Sequence, residues 1–122
     1  VSGVIYDVTS TPSSFAEANA DVVTTFLKVT SDMNAMYAEN PEPMYEAISI
    51  EAGMDMEGTV AILGVMAFMS AETQLSDQWM GKWLAGDLKR QALALEAAGK
   101  ITALDDYDAL VNTTYLAAAA AQ

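Results

Sequence analysis

The longest uninterrupted helical pattern in this chain runs from Phe15 to Tyr37. Its apolar residues recur mostly at three- and four-residue spacing: Val22, Val23, Phe26, Leu27, Met33 and Tyr37. This spacing places them along one broad face of an α-helix, and such a face is stable only when other parts of the structure cover it. The segment therefore predicts a long amphipathic helix as the central element of the fold.

The residues before this helix favour a β-strand. Residues 3–9 are rich in Val, Ile, Tyr and Thr, which are typical of strands. A single strand in a helical chain has no partner for its backbone N–H and C=O groups. We therefore expect this strand to pair with a second copy of the molecule, or to have natural partners that this sequence lacks.

Proline, glycine and helix-capping residues divide the rest of the chain into further helices. Pro41 and Pro43 end the long helix, Gly53 ends the next one, and Asp55 and Ser70 are suitable N-terminal caps. The predicted helices span about 13–40, 43–52, 56–66, 71–98, 105–111 and 114–121. Gly81 and Gly86 each cost roughly 1 kcal/mol inside the fourth of these, so a break near Gly81 is plausible. The chain is predicted to be a single, mainly α domain over residues 1–122, with about five or six helices after one short N-terminal strand.

The composition argues against several classes of function. Seventeen acidic residues against five basic ones give a net charge of −12, whereas nucleic acids and anionic membrane surfaces require clustered Lys and Arg. The longest apolar run, residues 60–69, is far shorter than the roughly 20 residues of a membrane-spanning helix. The chain contains neither Cys nor His, so it lacks the usual nucleophile–base pairs and the commonest transition-metal ligand. We expect no enzymatic activity, no cofactor and no metal.

Several residue groups nevertheless have a functional alternative. The acidic groups are Asp55 with Glu57, then Asp105, Asp106 and Asp108, and finally Glu39, Glu42 and Glu46. The first two could hold a divalent cation, but acids that begin helices explain them better, and the third fits a solvated face. Trp79 and Trp83 lie one helical turn apart, which suits packing better than a cage for an ammonium ligand. Asp7 interrupts an otherwise apolar run, and it is either an outward-facing edge residue or part of a binding site.

A set of short segments resembles one protein family. They are Tyr6-Asp7-Val8-Thr9, Phe15 to Val23, Phe26 to Val29, Gln74 to Gly81, Ala98 to Ile101, Leu104 to Tyr107, Val111 and Tyr115-Leu116. In order and spacing they are similar to the C-terminal part of taurine/alkanesulfonate-type substrate-binding proteins of ABC transporters, a family with a two-lobed α/β periplasmic binding fold. Ala20 departs from that pattern, in which proline is common, so the short first turn and the main helix are expected to fuse.

The resemblance implies a function and one site residue. It implies a partial, periplasmic solute-binding protein that binds taurine or a related sulfonate without catalysis and delivers it to a transporter permease. The N-terminal lobe, with most sulfonate-holding groups, has no counterpart here, so ligand binding is expected only when that lobe is supplied. The residue matching Asp7 is expected to bind the ammonium group of the ligand, which a carboxylate suits.

An alternative of another class is a free-standing helical interaction or oligomerisation protein that derives from such a receptor and binds no ligand. In either case, apolar faces without a lobe to cover them predict a homo-oligomer.

Overall fold

The protein is mainly α-helical, as the sequence predicts. The structure is a computed structural model that describes residues 5–122. Within these residues it contains seven α-helices and one short 3-10 helix, Asp108–Leu110. The α-helices are α1 (Ser13–Ala18), α2 (Ala20–Glu39), α3 (Glu42–Ala52), α4 (Met56–Leu63), α5 (Ala71–Leu75), α6 (Trp83–Ala97) and α7 (Thr114–Ala120).

The predicted strand is not formed over residues 5–9, which have no regular secondary structure. Residues 3 and 4 of that prediction lie outside the described residues. A lone strand is unstable because its backbone N–H and C=O groups need a neighbouring strand to bond with. No other β-strand is present in residues 5–122 to supply these partners. The side chains of Ile5 and Val8 are consequently exposed, by 96% and 61%.

The single helix predicted over residues 13–40 is two helices. Asn19 separates α1 from α2, because its backbone dihedral angles lie outside the helical region. Its backbone N–H and its side-chain amide both donate to the carbonyl of Phe15, each at 2.9 Å. Asn19 therefore ends α1, and the fusion expected from Ala20 does not occur.

Three other predicted helices are shorter than expected. The helix predicted over 56–66 ends at Leu63, because the next turn tightens into bonds from Val65 to Ile62 and from Met66 to Leu63. The helix predicted over 71–98 is divided into α5 and α6 near Gly81, where the sequence makes a break plausible. Of the helix predicted over 105–111, only the 3-10 helix Asp108–Leu110 forms.

Helix α2 is the central element, and α7 packs along it. Leu116 and Ala119 of α7 are each 4% exposed, and α7 also contacts α5. The C-terminal half of α2 holds the neighbouring segments through Tyr37, whose ring lies 4.7 Å from that of Phe68 and 6.4 Å from that of Tyr45. Desolvation raises the pKa of Tyr37, and the hydrogen bond with Tyr45 adds to the increase.

Helix α6 has a small core of its own with the segment that follows it. Ala85 and Ala92 on α6 are buried against Tyr107, and Leu88, Ala103 and Val111 pack around them. The hydroxyl of Tyr107 accepts a hydrogen bond from the backbone N–H of Leu104 at 3.0 Å. These contacts begin in the first turn of α6, at Ala85, and continue to Ala92, so they hold the helix against the segment that contains Tyr107.

None of the helices within residues 5–122 combines the length and the apolar character that crossing a bilayer requires.

Candidate ligand-binding site

A compact turn between α5 and α6 positions the aromatic residues of the candidate site. The backbone N–H of Met80 donates to the carbonyl of Gln74 at 2.9 Å, and that of Gly81 donates to Ser76 at 3.0 Å. The chain passes so close to itself here that a Cβ at position 81 would lie 2.9 Å from the carbonyl oxygens of Leu75 and Ser76. Position 81 therefore requires glycine, because two backbone segments approach each other closely there.

Three aromatic rings form a row beside this turn. The rings of Trp79 and Trp83 are 5.4 Å apart at an angle of 71°, and those of Trp83 and Tyr6 are 6.0 Å apart at 74°. Both are edge-to-face contacts, which are favourable beyond the apolar area that they bury. The row connects the N-terminal segment to the start of α6, and Trp83 lies at its centre.

Asp87 is the polar centre of the site. Its side chain is one helical turn after Trp83, and the residue is only 5% exposed. Its Oδ2 accepts hydrogen bonds from the Tyr6 hydroxyl at 2.8 Å and from Gln91 Nε2 at 2.6 Å. Its Oδ1 forms an ion pair with the guanidinium group of Arg90. Gln91 Nε2 also donates to the Tyr6 hydroxyl at 3.0 Å. A buried carboxylate needs such partners, and here they tie the N-terminal segment to α6.

An open depression of about 440 Å³ lies against this cluster. Its lining residues are Asp77, Lys82, Trp83, Gly86, Asp87 and Arg90. The side chain of Arg90 is 68% exposed, so its guanidinium group can contact a ligand while it remains paired with Asp87. The depression thus offers an aromatic face, two cations and the exposed carboxylate of Asp77.

Asp7, the site residue implied by the family resemblance, is not among the residues that line the depression. It is exposed, and it directly follows Tyr6, whose hydroxyl is bound to Asp87. Of the other residues singled out in the sequence, Trp79 and Trp83 are brought together and Trp83 lines the depression.

The acidic groups are separate from this site. Asp55 caps α4 by accepting from the backbone N–H of Gly58 at 2.7 Å, and Asp106 accepts from the N–H of Asp108 at 2.9 Å. A second depression of about 120 Å³ is bordered by Asp105, Asp106 and Asp108, together with Lys89. Within residues 5–122, no three potential metal-ligating side chains of the Asp, Glu, Cys or His type form a group.

The sequence analysis missed Tyr6, Asp87 and Gln91 as parts of a site. A signal for Asp87 was present, because it is an acid within the apolar stripe of a helix that includes Leu84, Leu88 and Ala92. This is the same kind of signal that pointed to Asp7. Tyr6 carries no comparable signal, since its partner is 81 positions away in the chain.

Neither the family models, nor the curated proteins, nor the solved structures contain a match to this chain.

Proposed function

We propose that this chain is part of a periplasmic solute-binding protein that binds taurine or a related sulfonate, without catalysis, for an ABC importer. The observation that carries the proposal is the depression beside Trp83. Its lining combines the cations of Lys82 and Arg90 with the carboxylate of Asp77. A zwitterion with an ammonium and a sulfonate group needs both signs of charge within a few ångströms.

The two ends of such a ligand have different partners in this arrangement. Arg90 and Lys82 are suited to the sulfonate, because a guanidinium group can donate two parallel hydrogen bonds to an oxyanion. The ammonium group requires a carboxylate that is not already saturated. Asp87 is bound by Tyr6, Gln91 and Arg90. The exposed acids Asp7 and Asp77 remain, and the family resemblance favours Asp7.

Trp83 supports the same ligand in another way. Its ring borders the depression and can contact the short aliphatic part of an aminosulfonate, and an aromatic face also attracts an ammonium group. The depression is open on one side, and a second lobe that closes over it would complete the site. This agrees with the expectation that binding requires the N-terminal lobe.

Titration calorimetry with taurine tests the proposal. It should use a form of the protein that carries the N-terminal lobe, together with its Asp7→Ala, Arg90→Gln and Glu46→Gln variants. We expect Asp7→Ala and Arg90→Gln each to weaken binding about tenfold or more, since each removes a charge-assisted contact of roughly 1.5–3 kcal/mol. Glu46→Gln is the matched control on the distant helix α3 and should bind as the unaltered protein does.

Two results would overturn parts of this proposal. If the unaltered protein releases no heat with taurine, or with other small sulfonates, the sulfonate-binding function is wrong. If Asp7→Ala and Glu46→Gln bind equally well, Asp7 is not part of the site, and Asp77→Asn becomes the variant that identifies the ammonium partner.

A second candidate function is a free-standing helical interaction or oligomerisation protein, which a large accessible surface supports as much as it supports a receptor that lacks its other lobe. The accessible surface is 8843 Å² for a chain of 13.0 kDa. A compact monomer of this mass exposes about 6,300 Å², so the chain exceeds that value by roughly 2,500 Å². The surrounding reading frame distinguishes the two functions. An upstream lobe with a signal peptide supports the receptor, and a start codon just before Val1 supports the free-standing protein.

A further inference from the structure

Helix α2 is apolar on two opposite faces, and only one of them is covered within residues 5–122. Thr24 on the inner face is buried and Leu27 is half-buried, on the side where α7 packs. The opposite face carries five large apolar side chains that are 40–55% exposed: Val22, Phe26, Val29, Met33 and Met36. We call these five residues the α2 stripe.

The spacing of the α2 stripe is that of a coiled-coil seam. Its residues follow one another at intervals of four, three, four and three positions, which is the a/d pattern of a heptad repeat over about two heptads. On a 20-residue helix this pattern makes a straight, narrow ridge that fits between the side chains of another helix with the same spacing. The stripe is therefore complementary to a helix like itself.

The charges beside the stripe also allow a second copy to approach. The flanking heptad positions are Val23, Thr25, Thr30, Asp32 and Tyr37. Asp32 is the only charged residue among them, and Lys28 neutralises it through an ion pair of 2.8 Å. Two copies of a chain with a net charge of −12 repel each other over most orientations, but this face contributes almost nothing to that repulsion.

The chain as a whole exposes more surface than a compact monomer of its mass, and the α2 stripe is one of its exposed apolar faces. A standard protein–protein interface removes about 800 Å² from each partner. The chain exposes roughly 2,500 Å² more than a compact monomer of its mass, so such an interface would remove about a third of the excess. The remaining excess includes the extended residues 5–12 and the exposed faces of other helices.

We infer that a second copy of this chain covers the α2 stripe, so that the two α2 helices pack against each other across a two-fold axis. In such an isologous contact the same residues serve both partners, which the self-complementary spacing satisfies. Phe26 and Val29, at the middle of the stripe, form the centre of the contact. The inference does not depend on the proposed sulfonate site, because the stripe and the depression share no residue.

Light scattering coupled to size-exclusion chromatography tests this inference on the 122-residue chain. The unaltered chain should have twice its own mass of 13.0 kDa. Val29→Glu places a charge at the centre of the contact, where it would be buried without a partner, and it should shift the mass to that of a single chain. Ile50→Glu is the matched control, since Ile50 is 69% exposed on α3 and lies outside the stripe. This variant should remain a dimer.

Circular dichroism and cross-linking distinguish loss of the dimer from loss of the fold. Val29→Glu should retain the helical signal of the unaltered chain, because Val29 is 54% exposed and glutamate is a good helix former. The chain has no Cys. Val29→Cys should therefore give one covalent dimer with a short bis-maleimide, and Ile50→Cys should give none.

Each contrary result overturns the inference. An unaltered chain that is a monomer at high concentration shows that no second copy covers the stripe. If the Val29→Glu variant is still a dimer, the contact lies elsewhere. The same conclusion follows if Ile50→Glu dissociates the dimer as well. If Val29→Glu is unfolded, the cross-linking comparison between Val29→Cys and Ile50→Cys decides the question alone.

Discussion

At the scale of single residues, Asp87 connects two distant parts of the chain. Its carboxylate accepts from Tyr6, 81 positions earlier, and from Gln91 one turn later, and it pairs with Arg90. A carboxylate that is 5% exposed is stable as an anion only while these partners remain in place. The cluster therefore orders the segment around Tyr6, which otherwise has no regular secondary structure to hold it.

Substitutions in this cluster test its contribution to stability. Asp87→Ala leaves the Tyr6 hydroxyl and the Gln91 amide without their acceptor, and we expect it to lower the free energy of unfolding by about 2–3 kcal/mol. Tyr6→Phe removes two hydrogen bonds, the one that the hydroxyl donates to Asp87 and the one that it accepts from Gln91, and should lower the free energy of unfolding by about 1–2 kcal/mol. Asp77 is an exposed acid in the lining of the same depression, and Asp77→Ala should change the free energy of unfolding by less than about 0.5 kcal/mol. Urea denaturation measures all three, and equal effects of Asp87→Ala and Asp77→Ala would contradict the role given to the buried carboxylate.

Among the helices, the boundaries that depend on local chemistry were predictable. The side chains of Asp55 and Ser70 cap α4 and α5 as expected, and Gly53 and Gly99 take the left-handed, positive φ values that commonly end a helix. The predicted strand failed because a strand depends on partners that are distant in sequence. The break at Asn19 was also missed. Its backbone N–H still makes the usual helical bond to Phe15, and only the second bond, from its side-chain amide, competes with a continuation of the helix.

From the sequence, Gly81 and Gly86 are expected to destabilise a helix by the same amount, but their surroundings in the structure differ. A Cβ at position 81 would meet backbone atoms at 2.9 Å, whereas a Cβ at position 86 meets nothing within 4 Å. Gly81→Ala should therefore lower the free energy of unfolding by roughly 1–3 kcal/mol. Gly86→Ala should raise it by roughly 0.5–1 kcal/mol, because alanine is the better helix former. Thermal denaturation of the two variants gives opposite shifts in Tm if this is correct, and shifts of the same sign would contradict it.

At the scale of the whole molecule, the mainly α class was predictable but the candidate site was only partly so. The nearness of Trp79 and Trp83 was expected from helical spacing, but Trp79 lies in the turn before α6, so the turn and not a shared helix brings the two rings together. The meeting of Tyr6 with Asp87 depends on how the N-terminal segment returns to α6, and no local pattern encodes that path. The α2 stripe shows the same limit. The periodicity of α2 predicts an apolar helix, but the division of its apolar residues between two opposite faces follows from where α7 packs.

The net charge of −12 gives the proposed dimer a salt dependence of definite sign. Two acidic chains repel each other, while the α2 stripe itself is apolar and nearly uncharged at its edges. Added salt screens the repulsion, since the Debye length falls from about 10 Å at 0.1 M to about 3 Å at 1 M, and it leaves the apolar contact intact. Sedimentation equilibrium should therefore give a dissociation constant that is lower at about 0.5 M salt than at about 0.05 M. A constant that rises with salt would mean that opposite charges hold the two chains together, and would place the contact away from the α2 stripe.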